Sequence, residues 1–114
     1  MTVTLALERE RHVQALQVDL QSLVEQLSAL PAVRKIILFG SYAAGRRDLF
    51  TDLDVMVVMD SSLGFVDRMA ALARQVHVEG PVDLLVYTPQ EMKRMRDRPF
   101  MRHVLVTGRV LYER

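Results

Sequence analysis

GSYAAGRRDLFTDLDVMVVMD, residues 40–60, decides how this chain folds. It begins where the apolar run Ile36-Ile37-Leu38-Phe39 stops at Gly40-Ser41, loops through Gly45, Arg46 and Arg47, and re-enters an apolar run headed by Asp52-Leu53-Asp54. Val55 to Met59 is wholly apolar and rich in valine, which suits a buried strand better than a short helix. Side chains alternate along a strand, so Asp52 and Asp54 share one face. Two carboxylates about 4 Å apart repel by roughly 1 kcal/mol in water and about 4 kcal/mol at an effective dielectric near 20. A divalent cation turns that repulsion into attraction, and oxygen ligands favour Mg²⁺ or Mn²⁺. The Asp-x-Asp spacing alone leaves a second use open, with Asp52 capping a turn and Asp54 at a solvated strand end.

Gly40, without a Cβ, suits a sharp turn after a buried strand, where backbone N–H groups face a ligand. Ser41 adds a hydroxyl. Tyr42-Ala43-Ala44 is expected to open a short helix whose N-terminal end favours a phosphate. Taken together, Gly-Ser, ten intervening residues and Asp-x-Asp resemble the signature of the nucleotidyltransferase superfamily that includes DNA polymerase β. The short chain is most similar to its minimal nucleotidyltransferase (MNT) branch. The resemblance covers about Val33 to Tyr87 well and the flanks loosely. Two positions depart from the common pattern: Ala44 stands where many relatives have arginine, and Thr51 where many have serine.

At 114 residues a single domain, 1–114, is expected, with a core that buries about two thirds of the unfolded surface. A formal charge of +1 gives no reason to expect direct nucleic-acid binding. Cysteine is absent, which excludes disulfides and thiolate metal sites. No apolar run reaches the roughly 18 residues of a membrane span, and no leader pattern opens the chain, so a cytoplasmic protein is expected. The histidines His12, His77 and His103 lack ligand spacing.

From Leu5 to about Leu30, Val13, Leu16, Leu20, Leu23, Val24, Leu27 and Leu30 recur every three or four residues, predicting one long helix. Strands are predicted at Val33–Phe39, Leu53–Met59 and Val82–Tyr87. A helix is predicted from Phe65 to about Val76, with Ser61 or Ser62 as its cap. Thr88-Pro89-Gln90-Glu91 reads as a capping box opening another helix. Arg94, Arg96, Arg98 and Arg102 then crowd a stretch whose methionines suit a core, leaving the arginines for solvent or for a partner's acidic surface. Pro99 restarts the backbone, and Arg109 to Tyr112 offers an edge strand. The order indicates an α/β sandwich. The family resemblance adds a mixed, nucleotidyltransferase-like sheet of three to five strands flanked by helices, with strand order open.

Asp83 places a charge inside an apolar strand, either as an edge gatekeeper facing water or as a buried ligand. The family carries a third acidic residue on a later strand, and Asp83 fits that position. The resemblance then implies Mg-dependent transfer of a nucleoside monophosphate, AMP from ATP, to a hydroxyl. Asp52, Asp54 and Asp83 would be the catalytic and metal-binding residues, holding two Mg²⁺ ions (or Mn²⁺). Gly40 and Ser41 would cradle the β- and γ-phosphates, and Arg46 or Arg47 would neutralise the leaving group. Minimal members are typically antitoxins of toxin–antitoxin pairs that modify a tyrosine of a helical HEPN toxin, so a HEPN-family partner is expected. Two other functions stay open: a non-catalytic antitoxin acting by occlusion, and a small-molecule nucleotidyltransferase working as a homodimer.

Overall fold

The computed structural model describes residues 2–114, with side chains from residue 4. The first helix, α1 (Thr2–Ser28), runs about 40 Å at 1.5 Å per residue. Its predicted stripe is the buried one. Leu16, Leu23 and Leu27 are fully enclosed, and Leu20, Val24 and Leu30 pack at the margin. Each enclosed leucine contributes about 2 kcal/mol of apolar burial. Residues 4–11, in the first turns, are exposed throughout, so the helix overhangs the sheet at its N-terminal end.

The strands β1 (Val33–Phe39), β2 (Leu53–Met59) and β3 (Val82–Tyr87) have the predicted bounds, and β4 (Arg109–Glu113) supplies the edge strand. Their spatial order is β3-β2-β1-β4. β1 pairs antiparallel with β2 and β4, while β2 and β3 run parallel, so the sheet is mixed as expected. The near-continuous apolar composition of β2 follows from its central place: Val55, Met56 and Val57 are buried, each facing one side or the other.

Helices cover both faces. On one side α1, the one-turn helix α2 (Gly40–Ala43) and α3 (Phe65–Gln75) build a core on Leu38, Leu53, Val55 and Val57. On the other, α4 (Pro89–Met95) and α5 (Pro99–Thr107) pack Met92, Met95, Met101 and Val104 against Ile37 and Met56. The methionines of this region are core residues, as their sequence context suggests.

Two local expectations are corrected. The short helix begins at Gly40, two residues before Tyr42, because Tyr42 turns inward as a core residue. The cap of α3 is Gly64, without a side-chain bond, because the Ser61 hydroxyl instead accepts the Leu63 N–H at 3.1 Å and closes its own turn. By contrast, the Thr88–Glu91 capping box forms in full, with Pro89 at the first position of α4.

Polar contacts from α1 fix the approach to β3. Asp19, buried on α1, accepts the Gly80 N–H at 3.1 Å. A Cβ at Gly80 would sit 2.6 Å from that carboxylate oxygen, which is why glycine stands there. Gln26 exchanges two hydrogen bonds with the His77 backbone, at 2.7 and 2.8 Å.

Candidate active site

Three strands bring their residues into one row. Phe39 of β1 lies opposite Asp54 of β2, and Asp54 lies beside Asp83 of β3. Neighbours in register share a face, so Asp54 and Asp83 project together on the α4–α5 side, with Asp52 two residues before Asp54. Asp83 is exposed on an edge strand, as the gatekeeper expectation has it, and is not buried; it nonetheless stands beside Asp54.

The electrostatics record the crowding. The Asp54 carboxyl is pushed above the ordinary carboxylate range, first by partial burial, then by the charges of Asp52 and Asp83 and by hydrogen-bonding reach to Asp83. Among the described residues, no arginine or lysine offsets these effects. The donors are all hard oxygens, which fits Mg²⁺ or Mn²⁺ in chemistry. The three carboxylates are nonetheless not drawn into a closed cage: among the described residues no three acidic or imidazole groups stand close enough to form one.

Gly40 sits directly over this row. Its φ is +77°, the left-handed region, and a Cβ there would overlap Oδ2 of Asp54 and lie 2.9 Å from its Cγ. Glycine is therefore required twice, for the turn and for the close approach. Ser41 follows, half-buried in α2.

The loop between Ser41 and Asp52 is internally braced. Arg47 donates to the carbonyls of Tyr42 and Arg46, each at 2.8 Å, and lies 3.5 Å over the Tyr42 ring. Arg46 pairs with Asp48 at 2.7 Å. Both predicted phosphate-binding arginines are thus engaged within the loop. Thr51 explains why a hydroxyl is wanted at its position. Buried, it accepts the Asp48 N–H at 3.0 Å and donates to Asp48 Oδ1 at 3.2 Å, fixing the approach to Asp52. Its carbonyl is in turn bonded to His12 Nε2 of α1 at 2.7 Å. No sequence spacing linked His12 to this loop, since the partners are 39 residues apart.

A groove of about 560 Å³ opens on the β3 edge, lined by Asp54 and Asp83 together with Phe39, Leu85 and Phe100. Phe39 and Phe100 meet edge to face, with centroids 5.9 Å apart. Phe100 lies among core methionines in sequence, which hid its place at this groove. Among the described residues, no helix is long and apolar enough to cross a membrane.

Comparison with known proteins agrees with this geometry. Residues 21–114 match the family profile described as polymerase beta, nucleotidyltransferase. A protein of Methanocaldococcus jannaschii named as a candidate protein adenylyltransferase is 35% identical over 81 residues, covering 70% of this chain and 79% of its own. In backbone, the chain is similar to a candidate nucleotidyltransferase from Sulfolobus solfataricus, with a TM-score of 0.61 at 22% identity, covering 96% of this chain and 87% of the other. It is also similar to a mutant structure of the MntA–HpeT toxin–antitoxin, with a TM-score of 0.53 at 23% identity, covering 82% and 72%. At such identities the two structures speak for the fold alone. The family profile and the archaeal relative go further: this chain belongs to the polymerase β-type nucleotidyltransferase family, as the resemblance to its minimal branch led one to expect.

Proposed function

We propose that this chain transfers AMP from ATP to a hydroxyl of a partner protein, a tyrosine of a helical HEPN toxin, and so acts as its antitoxin in the cytoplasm. The observation that carries the reading is the packing of Gly40 over the Asp54 carboxylate with Asp83 alongside, which sets a phosphate-cradling turn against acidic side chains. The archaeal relative named for protein adenylylation supports the reaction class, and the fold shared with a toxin–antitoxin protein supports the setting.

In this reaction the acceptor oxygen attacks the α-phosphorus of ATP. A new P–O bond forms, the bond to the β-phosphate oxygen breaks, and pyrophosphate leaves. Bound Mg²⁺ would supply charge neutralisation for the attacking and leaving oxygens. Asp52, Asp54 and Asp83 would hold it, with Asp83 nearest the acceptor and able to take its proton. Gly40 and Ser41 would receive the β- and γ-phosphates on backbone and hydroxyl donors. Arg47 is committed to Tyr42, so charge on the pyrophosphate falls to Arg46, which must leave Asp48 to meet it.

The test is intact mass spectrometry of a co-encoded helical partner incubated with this chain, ATP and Mg²⁺. The partner should gain one AMP on a tyrosine. An unmodified partner, with toxicity nonetheless suppressed by an Asp52→Ala/Asp54→Ala variant, would establish occlusion instead.

A further inference from the structure

We propose that the α4–α5 corner is a docking rim for an acidic polypeptide segment of the acceptor, with Phe100 as its contact at the groove. The proposal rests on the transfer reaction above and names the acceptor surface that it needs.

Between positions 93 and 102 stand five cations, Lys93, Arg94, Arg96, Arg98 and Arg102, against one carboxylate, Asp97. The whole chain is only +1, so this is a local concentration of charge. The four arginines are exposed, and among the described residues none of them forms an ion pair. Arg34, Arg46 and Arg68 each have their carboxylate within the fold. The corner arginines therefore present charge whose complement must come from outside.

Phe100 joins that charge to the chemistry. It is 48% exposed, yet it lines the same groove as Asp54 and Asp83 and meets Phe39 edge to face. A half-exposed ring that lines the carboxylate groove and sits in sequence among the corner arginines offers a stacking surface to a flat side chain entering the groove. Further along α5, Leu105 and Val106 are exposed at 42% and 82%, giving the rim an aliphatic continuation that suits a polypeptide better than a polynucleotide. Asp83 and the open β3 edge flank Asp54 on one side, and Gly40 lies on the β1 side.

Short fluorescent peptides bearing one tyrosine flanked by glutamates, serines or lysines are titrated against the full chain by anisotropy, without nucleotide. A single-stranded RNA of equal charge is run beside them. The glutamate peptide should bind best, about tenfold over the serine peptide, and weaken as salt rises. R96E/R98E should remove or invert that order, and the milder R96Q/R98Q should flatten it. F100A should weaken every tyrosine peptide several-fold while keeping the order. Unchanged unfolding midpoints show that each variant is folded. Equal affinities that persist in R96Q/R98Q overturn the rim. RNA binding tighter than the glutamate peptide, and lost in R96Q/R98Q, overturns it in favour of a nucleic-acid face. If the transfer reaction itself is wrong, no acceptor gains AMP, yet the glutamate peptide still binds and the rim stands as a protein-binding surface.

Discussion

The acidic row of Asp52, Asp54 and Asp83 and the Arg68–Glu91 network are built from similar charges to opposite ends. In the row, carboxylates face carboxylates, and Asp54 is held above the ordinary carboxylate range. In the network, buried Arg68 pairs with Glu91 at 2.6 Å and donates to the carbonyls of Val86 at 2.8 Å and Leu63 at 2.9 Å. Glu91 also accepts the Thr88 N–H of the capping box, and its carboxyl is held below its usual range, chiefly by Arg68. Among the described residues, only the Arg68 Nε is left buried without a partner. The network ties α3, β3 and α4 together, and its charges are balanced within the fold. The row receives no such counter-charge from the fold, and under the proposed function a bound cation would supply it. Scaffold charge and site charge are thus distinguishable by whether the chain supplies the counter-charge.

The largest effect should come from breaking the row. Asp54→Asn keeps the shape and removes one charge, and should slow AMP transfer about a thousandfold, or about 4 kcal/mol of barrier. Steady-state assay of pyrophosphate release measures it. Retention of most of the rate would place the metal elsewhere. Breaking the network should do the reverse. Arg68→Ala leaves Glu91 and two carbonyls without their donor and should cost about 3 kcal/mol in urea unfolding. Its divalent-cation affinity, measured under conditions where the variant is folded, should stay within a few-fold of the parent.

Gly40→Ala tests the contact between turn and carboxylate. The left-handed φ costs an alanine about 1–2 kcal/mol, and its methyl must displace Asp54. Stability should fall by about 2 kcal/mol, and Mg²⁺ affinity should fall with it. Loss of stability with unchanged Mg²⁺ affinity would show that Asp54 does not need its present position.

Much of this was legible in the chain because the signals are local. β1, β2 and β3 announce themselves as short apolar runs ended by glycine, proline or aspartate, and the Thr88–Glu91 box closes within four residues. What escaped depends on pairing at a distance. Strand order is set by which edges meet, so it could not be read from β1, β2 and β3 one at a time. The role of Arg68 has no local signal, since its partner Glu91 lies 23 residues on. Val66 shares the helical apolar spacing yet is 74% exposed, because only the Leu72 side of α3 meets the sheet. At the site, spacing put Asp52 and Asp54 on one face. The reason for Gly40, a carboxylate directly beneath it, needed three-dimensional register.

The smallest effect separates the two regions by the sign of their pH dependence. Glu91 titrates below its usual value in the fold, so it adds stability at neutral pH that is lost as pH falls through that lowered value. Asp54 titrates above its usual value. Its contribution is therefore fully present below the ordinary carboxylate range and is lost as pH rises through the raised value. With chelator present, Asp54→Asn should then be more stable than the parent at neutral pH, and equal to it in acid, where Asp54 is already protonated. Adding Mg²⁺ should stabilise the parent and leave the variant behind, because a ligand that binds only the folded state shifts unfolding in proportion to its occupancy. Glu91→Gln should show the opposite pattern, weaker than the parent at neutral pH and converging on it in acid. Parallel curves for the two variants would mean that the row is held by the fold as firmly as the network is, and that it does not wait for a cation.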